Sequence, residues 1–279
     1  MKKSIGIITS SSLLIISFFI QTGTVSCTKE TTVRDTIIEL DTVIVRDTIF
    51  SEMEQIKRGI NDGLWAHYPI NGSAFDSSGN NHSISLNGNS TLSNDRWGIP
   101  ESSISFEAAN SYALIPDGKT FNSQNFTVAF FIYVKNTAGL FFGKQDYQTA
   151  NGATFNVGFD DVIDGSLLRF AVTSNQTGLC SASANGSTKI TQDGTVFINE
   201  WYHVAIVNEG SSMKLYINGQ FIESKNHAHT SLNFCNNAGF VLGSWWQNDP
   251  KYFSGKMDNL RIYTRVLNSK EINYLMKCD

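Results

Sequence analysis

Residues 201–220 constrain this chain more than any other stretch. Trp201 to Val207 reads as a buried strand, and a short polar loop leads to a second strand, Met213 to Ile217, with Leu215 and Ile217 on one face. Asn218-Gly219 follows, and this pair is the strongest short-range hairpin signal because a type I′ turn needs positive φ at both central residues. Gln220 to Glu223 supplies a third strand. An antiparallel meander is therefore built into the middle of the chain, which sets it apart from helical bundles and parallel α/β folds.

The rest of the composition agrees. Of 279 residues 41% are hydrophobic and 16% charged, with 19 Phe, 22 Gly and only 4 Pro. Short apolar runs alternate with Gly, Asn, Ser and Asp clusters, the pattern of an all-β domain. One sandwich after the leader fits the length, since all-β domains of roughly 200–250 residues fold as one unit. A net charge of −4 and the lack of a Lys/Arg cluster argue against nucleic acid as a partner.

The N-terminus reads as a secretion signal: Lys2 and Lys3, an apolar run from Ile5 to Ile20 broken by Thr9 to Ser12, then small residues before Cys27. A transmembrane anchor competes, but the unbroken apolar stretch falls short of the roughly 18–20 residues a span needs. Val25-Ser26-Cys27 resembles a bacterial lipobox, although Thr24 stands where Leu is usual. That resemblance implies a signal peptide over 1–27, a lipid-modified Cys27 and an outer-membrane lipoprotein facing the cell surface or the periplasm. Ordinary signal cleavage is the alternative. Lys29-Glu30 loosely resembles surface-export signals of some Gram-negative lipoproteins.

With Cys27 acylated, Cys180, Cys235 and Cys278 remain. Cys180 and Cys235 both sit in Gly/Ser/Asn-rich loop sequence and are the preferred disulfide, leaving Cys278 as a free thiol; three unpaired thiols are the alternative.

Residues 28–62 differ in character from the remainder of the chain. Asp35-Thr36, Asp41-Thr42 and Asp47-Thr48 each open an aliphatic run, at a spacing of six. With no consistent apolar face, this segment reads as an extended spacer or as a strand that pairs with a partner. Ser51 to Ile60 reads as a short helix, with Ser51 and Glu54 in a capping-box pattern. The globular domain is placed at 63–279. Strands are expected at Leu64–Ile70, Ser83–Leu86, Ser103–Phe106, Tyr112–Ile115, Phe126–Val134, Gly139–Phe142, Thr154–Phe159 and Leu167–Val172, and after the meander at Gly239–Leu242 and Gly255–Tyr263. Asn268 to Ile272 starts a short helix with Ile272, Leu275 and Met276 on one face.

Several ordered motifs go beyond fold class. Gly63-Leu64-Trp65-Ala66-His67-Tyr68-Pro69, followed by Asp76-Ser77-Ser78-Gly79-Asn80-Asn81-His82, resembles the opening of laminin-G-like domains of the concanavalin A-like lectin/glucanase superfamily. Tyr112–Pro116, Trp201–Ala205, Leu215–Gly219, Gly255–Tyr263 and Arg265–Asn268 match in order and spacing, so the resemblance covers nearly all of 63–276. It implies a two-sheet antiparallel jelly-roll sandwich, closed here by a short C-terminal helix. The Asp-Thr spacer resembles stalks of Bacteroidetes surface lipoproteins.

The resemblance also implies a structural Ca²⁺ with Asp76 and Asp258 as carboxylate ligands and carbonyls around Asn81 completing an oxygen shell. The alternative is that Asp76 caps an Asx turn and Asp258 is a hydrogen-bond acceptor at a strand edge. Relatives that hydrolyse glucans place two carboxylates on one strand face, as in Glu-x-Asp-x-x-Glu, and no expected strand carries such a pair. Asp160, Asp161 and Asp164 cluster in Gly-bounded turn sequence, read as solvated loop or a second cation site. No nucleophile-elbow pattern occurs, and the chain is not expected to be an enzyme. His227 and His229 are read as exposed histidines over a transition-metal pair, and His203 as partly buried packing.

The loop from Ser244 to Phe253 is the candidate for recognition. Trp245, Trp246, Gln247, Asn248, Asp249 and Tyr252 combine aromatic platforms with amide and carboxylate groups, as sugar sites do; the alternative is that its aromatics cover the end of the sandwich. Trp201 is assigned to the core strand instead. Gln145, Asp146 and Tyr147 form another polar loop, with nothing in the sequence to show the two adjacent. The expected function is a non-catalytic, lectin-like module of a cell-envelope lipoprotein that holds a polysaccharide or glycan. The alternative is an adhesion or assembly subunit that binds partner surface proteins.

Overall fold

The computed structural model describes residues 53–148, 152–160, 167–176, 180, 187–192, 196–245 and 252–278. A helix over 53–59 (α1) precedes β1 (Leu64–Tyr68), β2 (Ser85–Asn87), β3 (Thr91–Ser93), β4 (Ser103–Ser105) and β5 (Tyr112–Ile115). A 3-10 turn over Pro116–Thr120 leads to β6 (Phe126–Val134), β7 (Leu140–Gln145), β8 (Phe155–Asp160), β9 (Leu167–Asn175) and β10 (Ser187–Gln192). Then come β11 (Glu200–Glu209), β12 (Ser212–Ile217), β13 (Gln220–Asn226), β14 (Ser231–Leu232), β15 (Gly239–Leu242), β16 (Gly255–Tyr263) and helix α2 (Ser269–Cys278). The expected strands are present, some with shifted ends; β3, β10 and β14 are additional to them.

The strands form two antiparallel sheets. The first runs β13-β12-β11-β6-β16-β4-β3, with β1 also on β16; the second runs β10-β9-β8-β7-β15-β5-β2, with β14 on β9. Period-two alternation sends one row of each strand inward. From the first sheet Val128, Phe130, Ile132, Tyr202, Val204 and Ile206 enter the core, and they meet Phe142, Phe155, Phe170, Phe240 and Leu242 from the second. This is a jelly-roll sandwich with a Phe-rich interior, as expected. The meander folds as read: Val204 pairs with Ile217, and Asn218 and Gly219 take φ of 49° and 74°. The Asn218 side-chain oxygen also accepts from the His203 backbone N–H at 2.9 Å, closing the turn onto β11.

The outer face of the first sheet is itself covered. Ala129, Ala205, Val207, Tyr216 and Tyr263 pack against Ile60, Leu267, Ile272 and Leu275. Burying Ile272 and Leu275 contributes about 1.5–3 kcal/mol each. Asn268 caps α2, its side-chain oxygen accepting from the N–H groups of Lys270 and Glu271 while Glu271 returns an acceptor to the Asn268 N–H. Arg265 donates to the carbonyls of Asp62 and Gly59, and β1 pairs with β16, so the two ends of the sandwich are joined. The packing thus takes in residues before Gly63, the expected start of the domain. Residues 1–52, with Cys27 and the Asp-Thr repeats, lie outside the described residues.

Cys180 and Cys235 form the expected disulfide, with Cα atoms 4.5 Å apart. Cys278 is also disulfide-bonded, which corrects its assignment as a free thiol.

Candidate functional site

A cleft of about 460 Å³ opens on the outer face of the second sheet. Its floor follows from alternation: Ala113, Ile115, Phe240 and Leu242 turn into the core, so Leu114 and Val241 turn outward, paired side by side. Gly143 lies next to Val241 across the ladder and Gly239 opposite Gln145, so no side chain rises from the sheet at these two positions. Pro116 and Lys119 of the 3-10 turn form one wall, Asn236 and Asn237 a second, and Gln145 to Gln148 a third.

The structure brings the two polar loops together. The fully buried Gln145 side chain donates from Nε2 to the backbone carbonyl of Trp245. Tyr147 stacks on Tyr112 with ring centroids 4.7 Å apart, and its phenol is close enough to those of Tyr112 and Tyr252 to interact with both. Burial first, then these phenol partners, push the Tyr147 hydroxyl well above its ordinary pKa. Trp245 projects outward and is 40% exposed. Tyr147, the amides of Gln145, Gln148, Asn236 and Asn237, and one carboxylate, Asp146, line the cleft together. Trp246, Gln247, Asn248 and Asp249 lie outside the described residues.

The walls are fixed from beneath. The 235–238 turn closes through the Ala238 N–H to the Cys235 carbonyl, which puts Asn236 and Asn237 at the tip. The disulfide holds its start, and Thr154 Oγ1 donates to the carbonyl of the neighbouring Asn233 at 2.7 Å. Gly118 allows the 3-10 turn to lie on Phe240; a Cβ there would fall 2.6 Å from the Phe240 ring.

The residues expected to hold calcium have protein partners in this structure. Asp76 Oδ1 accepts from the backbone N–H groups of His67 and Ser78, and Oδ2 from that of His82, each at 2.9 Å. Burial raises its pKa, but these N–H donors outweigh burial and hold the carboxyl below its ordinary value. Asp258 is buried and ion-paired to Arg96, whose guanidinium lies 3.6 Å from the Trp97 ring centroid and 3.7 Å from that of Phe131. Asn81 has φ of 60°, a turn conformation. In this structure Asp76 is engaged by three backbone N–H groups and Asp258 by Arg96. No group of three or more His, Cys, Asp or Glu that could hold a metal occurs among the described residues.

Other assignments shift as well. Trp201 lies on the outer face of the first sheet, half-buried beside Tyr133 with ring centroids 5.7 Å apart, and not in the core; Tyr202 takes the core position. His227 is buried, contrary to its reading as exposed, with Nδ1 at 2.7 Å from the His229 carbonyl and Nε2 at 3.1 Å from Asn208 Oδ1. His203 is fully buried; burial and then Arg96 lower its pKa to about 3, so it is neutral. Asp160 ends β8, and Asp161 and Asp164 lie outside the described residues.

A laminin G family model (Laminin_G_3), described as the Concanavalin A-like lectin/glucanases superfamily, matches residues 107–273, more than half of the chain. A search of curated proteins found no match. Among solved structures the chain is similar to the binding domain of botulinum neurotoxin serotype D (16% identity, 78% of this chain and 52% of that one, TM-score 0.59). It is also similar to the binding domain of Paraclostridial Mosquitocidal Protein 1 (19%, 78% and 52%, TM-score 0.60). A third is the serotype D ligand binding domain in complex with N-acetylneuraminic acid (16%, 79% and 52%, TM-score 0.61). At these identities the likeness carries the fold, and the chain spans about half the length of these structures.

Proposed function

Because the chain belongs to the concanavalin A-like lectin/glucanases superfamily, we propose that it is a non-catalytic carbohydrate-binding module carried on a cell-envelope lipoprotein. The observation that carries this reading is the convergence of Tyr147, Gln145, Asp146, Asn236 and Asn237 around one cleft, with the backbone of Trp245 tied to Gln145 and Tyr252 near Tyr147. Sugars present C–H faces to aromatic rings and hydroxyls to amides and carboxylates. Trp245 supplies an exposed ring, and the Asn236-Asn237 tip lines the cleft with amides. The similarity to a toxin domain in complex with N-acetylneuraminic acid supports a glycan as ligand. Hydrolysis of a glycosidic bond uses two carboxylates flanking it; Asp146 is the single carboxylate lining the cleft among the described residues, which favours binding over cleavage. Affinity electrophoresis of the mature chain through polysaccharide gels tests the reading. Retardation that Trp245→Ala abolishes supports it, and migration indifferent to every polysaccharide sinks it.

The anchor belongs to the same proposal: Cys27 acylated, residues 28–52 as a spacer, and the domain held off an outer membrane. With four cysteines in the chain and Cys180 joined to Cys235, acylation of Cys27 and an intrachain disulfide at Cys278 exclude one another. Peptide mapping without reduction decides between them. A second reading, attachment to a protein partner, is favoured by Trp97, 65% exposed, with Ile99, Phe197 and Ile198 also exposed. Trp97→Ala, with the cleft intact, would then abolish capture of that partner.

A further inference from the structure

We propose that Lys144 is the clamp of the cleft, a positioning residue that ties its walls to one buried point. The proposal rests on the reading of the cleft as a carbohydrate site. Lys144 pairs with Phe240 across the β7–β15 ladder and turns with it into the interior, where it is 0% exposed. Its Nζ donates to the carbonyls of Gly118 and Ala238, each at 2.6 Å. The first belongs to the turn that carries Pro116 and Lys119; the second ends the turn that carries Asn236 and Asn237. The third wall, Gln145 to Gln148, begins at the next residue of the chain.

A lysine is a costly way to fill this space. A cation taken out of water is penalised heavily unless paired, and the partners of Nζ here are two carbonyls and, 5.7 Å away, the Phe240 ring. An apolar side chain of similar length would fill the volume but remove the amine's bond to the Ala238 carbonyl and leave the Gly118 carbonyl with the Phe121 N–H alone, at 3.1 Å. What the amine supplies is the two ties.

The cost gives the clamp a pH dependence. Burial lowers the Lys144 pKa from 10.5 to about 7. The other titratable groups on the packed elements are Asp117 and Lys119 on the 3-10 turn, Asp146 and Tyr147 after β7, and Asp160 at the far end of β8; β15 and the 235–238 turn carry none, Cys235 being in the disulfide. An opening that lets water reach Nζ restores the ordinary pKa. Between pH 7 and 10.5 opening therefore takes up a proton, and it becomes harder as pH rises, by at most roughly tenfold per pH unit. Below pH 7 both forms carry the proton and this dependence stops.

Hydrogen exchange at the wall amides of the mature chain, corrected for intrinsic rates, reads this directly. In the wild type the amides of 118–120 and 236–239 gain protection from pH 7 to pH 9, while those of β12 follow global stability. In Lys144→Met the same amides exchange roughly tenfold or more faster at pH 9, and the gap narrows at pH 6. Walls that exchange alike in both proteins, or a wild-type wall protection flat with pH, overturn the proposal. If Lys144→Met does not fold, the wild-type pH profile alone decides. Polysaccharide retention, run in parallel, separates the two readings. A wall difference without retention by the wild type removes the carbohydrate and keeps the clamp; retention with no wall difference does the reverse.

Discussion

Replacing Lys144 by Met should remove a component of the stability-versus-pH curve whose size follows from the structure. Folding holds Lys144 at a pKa of about 7, against 10.5 when free in water. The sign follows from proton counting. Between those values the unfolded chain binds more protons at this site than the folded one, so unfolding free energy rises with pH, and the contribution is lost as pH falls through about 7. From pH 7 to pH 9 the expected rise from this residue is about 2 kcal/mol. Nζ is fully buried, so solvent screening does not reduce the figure. At pH 7 itself Lys144→Met relieves the buried cation but strips the amine donor from the Ala238 carbonyl, a loss costing about 1–3 kcal/mol, while the Gly118 carbonyl keeps the Phe121 N–H. The two changes oppose each other, so overall stability at pH 7 moves less than its pH slope. Urea unfolding of both proteins at pH 7, 8 and 9 measures the difference between the curves. Parallel curves would be incompatible with a depressed Lys144, because they would mean that Nζ keeps its ordinary pKa in the folded protein.

Below neutral pH, stability should fall as pH drops from about 6.5 towards 4, because burial holds His67 at about 4 and His203 at about 3, whereas both take up protons on unfolding. His203→Phe should flatten that limb, as urea titrations at pH 4.5 and 6.5 would show. The Cys180–Cys235 bridge spans 55 residues, so its removal as Cys180→Ser with Cys235→Ser should cost about 4 kcal/mol by loop entropy. A midpoint unchanged in urea would contradict this. Because Asp76 is engaged by backbone N–H groups and Asp258 by Arg96, the melting temperature should not respond to a calcium chelator; a drop of several degrees would show that an ion displaces those partners.

The parts of the fold legible in the sequence are those specified by local chemistry. Asn218-Gly219 declares its turn through backbone conformation, and Phe126–Val134 its burial through apolar content, so each reads correctly alone. β10 escapes such a reading because Ser187–Gln192 carries one buried apolar residue, Ile190, and is set as a strand by its ladder with β9. Trp201 lies on a core strand, as read, but alternation fixes which residues share a face and not which face is the core. The Tyr202 phenol, bonded to Glu200 and to the Phe197 N–H, shows which neighbour turns inward. His227 reads as exposed because its partner Asn208 lies 19 residues away. The candidate site is half legible. Both polar loops can be picked out by composition, but their meeting depends on one bond, from Gln145 to the Trp245 carbonyl, across 100 residues. Lys144 carries no signal, since a lysine beside Gln and Asp reads as solvated until the backbone carbonyls it serves are placed around it.

If the Trp245 and Tyr147 rim holds a glycan, immobilised polysaccharides should retain the mature chain. At least one polysaccharide is then expected to retard the wild type, and Trp245→Ala and Tyr147→Ala should each weaken retention by roughly tenfold or more while the melting temperature stays close to wild type. Retention by no polysaccharide, or retention that both variants keep in full, would contradict glycan binding at this rim.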